Sequence, residues 1–566
     1  MKVIVIGGVA GGASAAARVR RLDEKAEITV FERGEHVSFS NCCLPYYLSG
    51  TVETADDLVM MTPAGFKKRY NIDVKTSCEI TGINRAEHTV TAVDVLTGAE
   101  QDYPYDRLVI ATGSSPKPLG IPGENGGNVF TVRNVTDVVR IKSFLEDTGA
   151  AHVAVYGGGP VGIEVAENLA LAGKKITLIL HGKQILSSAY DDDMVQLLHR
   201  ELLNNGIEIL LGTEVKSIGE GVVSLSGKNG GSTLSADAVI LAAGTVPNSE
   251  LAAAAGLDLA SDGAIRTDDA YRTSDPDIYA VGDVIEVYNP LSAGSGRIAL
   301  AGPAQMAART AADGICGLKS QSAGFIGSSC IKVFGLNAAS TGLTEKKAVR
   351  CGYSCDSVLA FPGDKVGIMP DSNYLAIKLI FEKPSGRILG AQAIGKGDAV
   401  GRVNAIASML KLGATLEDLK NAELCYSPVY GTAKDAVNMA ALVGLNVLNG
   451  VFRQVHVSEV RGLVESGAVI IDVREPREYA AGHVKGALNI PLGEIRSRAG
   501  EIPRDVPVYL HCRSSQRSYY AICCLQGLGF TNVVNISGSF LGISLYEYFN
   551  DVMLSREPIV TAYNFN

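Results

Sequence analysis

Short β-branched runs alternate with glycine-rich turns and helical stretches along the chain, a pattern that predicts strands feeding helices. The run 3–6 enters Gly7-Gly8-Val9-Ala10-Gly11-Gly12, and the Ala- and Arg-rich stretch behind it predicts a helix. The next strand is predicted over Glu27–Phe31 and ends at Glu32, 20 residues beyond Gly12. The unit returns at 153–156, where a strand runs into Gly157-Gly158-Gly159-Pro160-Val161-Gly162, a helix starts at Ile163 and another strand covers Lys175–Leu180. Two strand–turn–helix units therefore begin 150 residues apart.

Two apolar strands ending in glycine, Leu108-Val109-Ile110-Ala111-Thr112-Gly113 and Val239-Ile240-Leu241-Ala242-Ala243-Gly244, read as returns to these sheets. Asp277-Ile278-Tyr279-Ala280-Val281-Gly282-Asp283 is a third such signal. From about 325 to 447, strands such as 376–381 precede helices such as 403–412. Past Gly450 a new β/α pattern opens, with strands at 469–473 and Val508–His511.

Length and composition narrow what these units build. At roughly 100–200 residues per domain, 566 residues allow several domains with separate cores. With 46% hydrophobic and 20% charged residues the chain is globular, which excludes disorder and collagen-like order. A net charge of −9 gives no field for a polyanion, so nucleic acid is excluded as a partner. Eleven cysteines are too sparse and too odd in number for a disulfide scaffold, and a reducing cytoplasm is expected. The apolar run after Lys2 is broken by Gly7, Gly8, Gly11 and Gly12 and ends in Arg18, Arg20 and Arg21, unlike a signal peptide. No stretch reaches about 18 apolar residues, so no membrane span is expected. No metal site is expected either.

A glycine turn between strand and helix lets a pyrophosphate approach backbone N–H groups at the positive end of the helix. Gly157, Gly159 and Gly162 match GxGxxG fully, whereas the first unit has Val9 in place of the middle glycine. Glu32 stands where a carboxylate binds a ribose hydroxyl.

On these features residues 1–447 resemble the flavoprotein disulfide reductase superfamily. The Ala111-Thr112-Gly113 and 278–283 segments resemble its second and third FAD contacts. The resemblance implies that Asp283 holds the ribityl chain and that Gly7, Gly12 and Glu32 hold the ADP half. Arg33, Asn41, Gly282 and Ala301 complete the expected FAD contacts. Gly157, Gly159, Gly162, His181, Lys183 and Gly244 would bind the nicotinamide nucleotide.

The segment Ser38-Phe39-Ser40-Asn41-Cys42-Cys43-Leu44-Pro45-Tyr46-Tyr47 resembles the single-cysteine SFxNCxLPYY of coenzyme A-disulfide reductases and NADH peroxidases or oxidases. The CxxxxC of glutathione-type reductases is absent, so a lone cysteine, Cys42, must cycle between thiolate and a bond to an external sulfur or oxygen. Cys43 departs from that pattern: it is packing, or it is a resolving thiol, although a vicinal disulfide is a strained ring. The resemblance implies coenzyme A contacts at Arg18, Arg21, Ser38 and Asn41, with Lys67, Lys68 and Arg69 nearby, since phosphates need such cations. A solvated helix face accounts for these basic residues equally well. Tyr426 and Tyr430 match one part of the tyrosine set that the family supplies across a dimer, but its YYPG falls on Ile368-Met369-Pro370-Asp371.

Residues 452–550 resemble a rhodanese domain, through Asp472-Val473-Arg474, Glu478-Tyr479, Gly482-His483-Val484, Gly486-Ala487 and Asn489-Ile490-Pro491. The strand Val508–His511 then delivers Cys512-Arg513-Ser514-Ser515-Gln516-Arg517-Ser518 into a helix, where loop N–H groups stabilise a persulfide on Cys512 and Arg517 adds positive charge. The family's late Gly-Gly reads Ser537-Gly538-Ser539, and Cys523 and Cys524 are expected in the core.

The expected fold is α/β, with two Rossmann-like dinucleotide-binding domains, an α+β dimerisation domain and a C-terminal α/β rhodanese domain. The expected boundaries are 1–115 and 246–324 for the two parts of the FAD-binding domain, 116–245 for the NAD(P)H-binding domain, 325–447 for dimerisation, 452–550 for the rhodanese domain and 551–566 for a tail. The expected activity is FAD-dependent, NAD(P)H-driven reduction of persulfides, polysulfides or coenzyme A disulfide or persulfide through Cys42. Cys512 carries sulfane sulfur, and coenzyme A is a bound ligand or substrate moiety. Two other readings stay open: a peroxidase or oxidase that cycles Cys42 through sulfenic acid, and a redox-sensing sulfur carrier. Small-molecule sulfur substrates, a homodimer and a cytoplasmic location complete the expectation. For the nicotinamide, the acid that marks an NAD site is replaced by Leu180, and His181 and Lys183 follow. NADPH is therefore expected to serve at least as well as NADH.

Overall fold

The computed structural model describes residues 1–227 and 230–565. The chain divides into two compact units, Met1–Lys183 with Ile207–Phe325, and Gln184–Gly206 with Ile326–Asn566.

In the first unit the strand Lys2–Ile6 lies at the centre of a parallel five-stranded sheet. Glu27–Phe31 and Asp73–Lys75 flank it on one side, Arg107–Ile110 and Ile278–Ala280 on the other. Val3, Val5, Leu108, Val109 and Ile110 are fully buried, as expected of a parallel sheet covered on both faces. The crossover helix Ala10–Leu22 is closed by Arg20, whose guanidinium donates to five backbone carbonyls between 2.6 and 3.2 Å.

A second parallel sheet repeats the design in the order Glu208–Leu211, Lys175–Leu180, His152–Tyr156, Ala238–Leu241, Val129–Phe130. Its helix, Pro160–Leu171, starts three residues before the expected Ile163. Proline has φ preset for a first helical turn and lacks only an N–H that would go unpaired there, so the helix extends into the glycine motif.

The second unit holds an antiparallel sheet ordered Ser329–Val333, Leu336–Gly342, Ile388–Gly395, Leu375–Glu382, Cys355–Ala360, with helices Ala399–Lys411 and Ala436–Leu448. Lys378 is 1% exposed in this sheet. Its ammonium donates to both carboxylate oxygens of Asp193 at 2.7 and 2.8 Å and to Glu345 at 2.8 Å, with Asp191 at 3.6 Å. Asp191 precedes and Asp193 lies in the first turn of the helix Asp192–Asn204, which falls within the sequence span 116–245 but packs in the second unit. There the His199 ring stacks on Phe549 at 4.2 Å, and the Tyr546 hydroxyl donates to Asp192 at 3.0 Å.

The second unit also contains a parallel sheet ordered Arg453–Val455, Val533–Ile536, Val508–His511, Val469–Asp472, Leu488–Asn489, with helices Gln516–Gly527 and Ser539–Leu554. Cys523 and Cys524 are half-buried rather than enclosed, and Cys524 packs against this core. The chain beyond Leu554 is stitched back onto the domain: Lys485 N–H donates to Ile559 O at 2.8 Å and Thr561 N–H to His483 O at 2.9 Å. Gly482 admits this close passage, because a Cβ there would lie 2.5 Å from Ala562 O. No described helix is long and apolar enough to cross a membrane.

Candidate functional site

The first glycine turn is built by backbone crowding. A Cβ on Gly7, whose φ is +97°, would lie 2.3 Å from Ala111 O, and one on Gly12 would lie 1.8 Å from Gly7 O. The strand end therefore brings Glu32 beside the turn. The N–H groups of Gly8 and Gly34 each donate to its carboxylate at 2.9 Å, which fixes the side chain and leaves lone pairs for a ligand. In the second turn Gly162 is equally tight, its Cβ position 2.0 Å from Gly157 O. At Gly159, by contrast, a Cβ would meet no described atom within 4 Å, and this open space lies at the N-terminus of Pro160–Leu171. A dinucleotide pyrophosphate fits such a cradle.

Asp283 accepts from Ser114 Oγ at 3.1 Å, with Arg133 at 4.0 Å. Thr112 is cross-tied to Asn248, hydroxyl to carbonyl at 2.7 Å and amide to carbonyl at 2.8 Å, a clamp the local sequence did not show. Gly113, Gly244 and Gly282 take left-handed φ of +70°, +106° and +86°. Arg33 is exposed and paired loosely with Glu79 at 3.8 Å, and Ala301 is exposed at the start of the helix Ala301–Ile315. His181 ion-pairs with Glu214 at 2.9 Å, and Glu214 also binds Lys216. Lys183 is exposed.

Cys42 is exposed in the 3-10 turn Asn41–Cys43. Asn41 Nδ2 donates to Arg133 O at 3.4 Å, and Cys43 N–H to Ser40 O at 3.1 Å. Although solvent reaches Cys42, the surrounding protein desolvates its sulfur and pushes the thiol up, helped by the negative fields of Glu164, Cys43 and Asp283. Glu164 is itself raised to about 7 by burial and by the neighbouring Glu167. Sequence reasoning missed Glu164, which follows the second glycine turn in Ile163-Glu164-Val165-Ala166-Glu167. One consequence is measurable on flavin-free protein. The Cys42 thiolate fraction at pH 7 lies below that of a free cysteine and grows as pH rises. Glu164→Gln should speed iodoacetamide alkylation of Cys42 at pH 7 by about two- to fivefold, the scale of one screened like charge. An unchanged or slower rate would remove Glu164 from the site.

The residues expected at coenzyme A are dispersed in their bonding. Arg18 is held by Asp313 at 2.7 Å, with both side chains largely buried, so a phosphate would have to compete with that pair. Lys67 pairs with Asp73 at 2.9 Å, Arg69 lies over the Tyr70 ring at 5.3 Å, and Arg21 and Lys68 are exposed. Ser38 sits at φ +50° with its N–H on Gly8 O. In the second unit Tyr426 and Tyr430 are exposed, while the buried Arg402 donates to Tyr430 O at 2.8 Å and anchors their loop.

Cys512 is 1% exposed at the head of its loop, its N–H donating to Ser539 Oγ at 3.2 Å. Ser539 stands where a glycine was expected, and its hydroxyl lies 3.9 Å from the Cys512 sulfur. Arg517 grips Glu478 bidentately at 2.6 and 2.8 Å, which raises its basicity further and balances the charge expected to act on Cys512. Arg474 donates to both carboxylate oxygens of Asp472, from Nε to Oδ1 at 3.0 Å and from Nη2 to Oδ2 at 2.6 Å, and a cavity of about 490 Å³ opens in front of Cys512.

Family models match three stretches: pyridine nucleotide-disulphide oxidoreductase over 1–308, the dimerisation domain of that family over 328–437, and a rhodanese-like domain over 456–545. The chain is 32% identical over 440 residues to coenzyme A disulfide reductase of Staphylococcus haemolyticus, covering 77% of this chain and 98% of that one. Among solved structures it resembles reduced CoADR-RHD of Bacillus anthracis, with TM-score 0.93 and 39% identity over 96% of this chain and 98% of that one. An NAD-dependent persulfide reductase of A. fulgidus gives TM-score 0.90 and 35% identity over 95% and 99%.

Proposed function

The chain belongs to the pyridine nucleotide-disulphide oxidoreductase family, and from that premise we propose that it is an FAD-dependent enzyme that uses NAD(P)H to reduce the sulfur–sulfur bonds of coenzyme A disulfide, persulfides or polysulfides. Cys42 is the redox residue and Cys512 the carrier of sulfane sulfur. The observation that carries this reading is an accessible, unpaired Cys42 on the dinucleotide-binding unit of a chain that also encloses Cys512 in a rhodanese cavity. Gly7, Gly12, Glu32 and Asp283 would hold FAD, and Gly157, Gly159 and Gly162 the nicotinamide nucleotide. The bound flavin supplies acceptance of hydride from NAD(P)H and delivery of its electrons to sulfur.

The chain's own residues handle the sulfur. The Cys42 thiolate attacks one sulfur of the substrate, a new S–S bond forms to Cys42, the old one breaks, and the departing thiolate takes the bonding pair. Exposed Tyr426 and Tyr430 on an anchored loop suit a homodimer in which each chain completes its partner's site, and a reducing cytoplasm suits the free thiols. Steady-state assays with coenzyme A disulfide, coenzyme A persulfide, polysulfide and peroxide side by side test the reading. The sulfur compounds should consume NAD(P)H fastest, and faster turnover with peroxide or oxygen would replace it with a sulfenic acid cycle.

The nicotinamide preference turns on His181. If His181 reads a 2′-phosphate, its pairing with Glu214 brings a carboxylate to that contact and opposes it. Glu214→Gln frees His181 and removes that repulsion, so KM for NADPH should fall about three- to tenfold while that for NADH changes little. Lys183→Glu should shift kcat/KM toward NADH. A wild-type preference for NADH of a hundredfold or more, roughly 2.7 kcal/mol, that Glu214→Gln removes would identify Glu214 as the dominant group, and one that survives it would assign the discrimination to another acid.

A further inference from the structure

The cavity before Cys512 is walled by Tyr374, Arg513, Gln516, Arg517 and Asn564. Its volume of about 490 Å³ lies in the range that encloses an organic molecule of drug size. Three guanidiniums line it, but two are balanced by carboxylates: Arg474 by Asp472 and Arg517 by Glu478. Arg513 makes no ion pair among the described residues. Its Nη1 donates to Asn564 O at 3.3 Å, and its Nη2 is buried with no hydrogen-bond partner. A buried guanidinium N–H without an acceptor is unfavourable, and an anionic oxygen is the acceptor that suits it best.

The wall around Arg513 comes from outside the rhodanese sheet. Tyr374 immediately precedes the strand Leu375–Glu382, and Asn564 belongs to the segment stitched onto 483–485. That segment is further held by the Tyr563 hydroxyl, which donates to Asp551 at 2.5 Å. The cationic end of the cavity is therefore a fixed surface.

We propose that Arg513, oriented by the Asn564 carbonyl, and Tyr374 form an anion subsite of the Cys512 cavity, which seats the charged end of an organic persulfide while its terminal sulfur meets Cys512. The proposal rests on the reading of Cys512 as sulfur carrier. In the transfer, the Cys512 thiolate attacks the terminal sulfur of R–S–SH, a new S–S bond forms to Cys512 and the S–S bond within the donor breaks. RS⁻ leaves with the bonding pair, and Cys512 becomes the persulfide, with no net oxidation or reduction. Arg513 acts on the remote anion of R, so it sets affinity rather than the rate of attack.

Sulfur transfer to cyanide in the full-length holoenzyme, followed as thiocyanate without NAD(P)H, separates the possibilities. Glutathione persulfide carries carboxylates, and 2-mercaptoethanol persulfide has an uncharged organic end. Arg513→Gln should raise KM for glutathione persulfide about tenfold or more, the scale of one charge-assisted hydrogen bond, with kcat within twofold and 2-mercaptoethanol persulfide unaffected. Tyr374→Phe should raise the same KM about threefold, and Arg513→Lys should restore part of the loss. Equal loss with both donors, or a fall in kcat at constant KM, would place Arg513 on the Cys512 sulfur and overturn the subsite. Unchanged kinetics in both variants would also overturn it. A wild type that forms no thiocyanate from either donor would overturn the Cys512 carrier reading itself.

Discussion

Cys42→Ser is expected to abolish NAD(P)H-dependent reduction of persulfides and coenzyme A disulfide by at least about a thousandfold, roughly 4 kcal/mol of lost transition-state stabilisation. A serine hydroxyl stays protonated at neutral pH and forms no exchangeable bond to sulfur, so the covalent step has no substitute. The site itself should survive, because Cys42 is exposed on a short turn and no described hydrogen bond depends on its sulfur. NAD(P)H should accordingly still bleach the flavin in stopped-flow absorbance, with only the later sulfur-dependent reoxidation lost. Turnover within tenfold of wild type would move the redox chemistry to another group. Loss of both phases would mean that the substitution damaged the flavin site.

Lys378→Met is expected to destabilise the second unit by about 3–5 kcal/mol, the usual cost of removing one partner from a buried charge cluster. Methionine nearly matches the lysine in length, so packing changes little while Asp191, Asp193 and Glu345 lose their shared cation. Burial already pushes the Asp191 carboxyl up, and Lys378 holds Glu345 below its usual range. Without the lysine, the native carboxylates bind protons more readily than unfolded ones. The deficit should therefore shrink as pH falls toward the raised native values and be largest at neutral pH and above. Urea denaturation at pH 5 and pH 8 checks both size and sign. A deficit below about 1 kcal/mol at pH 8 would show that water or a counterion satisfies the cluster.

The two predictions differ in how far the sequence reveals them. Cys42 was legible because its neighbours form a contiguous motif, and Cys512 because a strand, a cysteine loop and a helix follow one another without a gap. The strands Glu27–Phe31, Lys175–Leu180 and Val508–His511 have the bounds their apolar runs indicate, since glycine or a change of polarity ends each run. The Lys378 cluster was hidden, because its carboxylates come from chain positions 185 and 33 residues away. Pairing also bears on the residues singled out by type. Arg18 is committed to Asp313, 295 residues on, His181 to Glu214 and Arg517 to Glu478. A basic residue in a motif shows that a cation is present, and only the fold shows whether that cation is still free to meet a ligand.

The helix Asp192–Asn204 bears on how such proteins can be taken apart. A fragment ending at Phe325 would keep this helix but lose the helix Ser539–Leu554 and the strands Ile388–Gly395 and Ser329–Val333 that it packs against, exposing Met194, Val195, Leu198 and Leu202 beside an unstacked His199. That apolar stripe is an aggregation hazard. Swapping the rhodanese-bearing half between relatives as a cassette joined at 325 would pair the helix with a foreign surface for the same reason. A soluble exchange has to carry residues 184–206 along with 326–566, two insertions rather than one. The domain order along the gene is in this respect a poor guide to what can be inherited or transplanted as a unit.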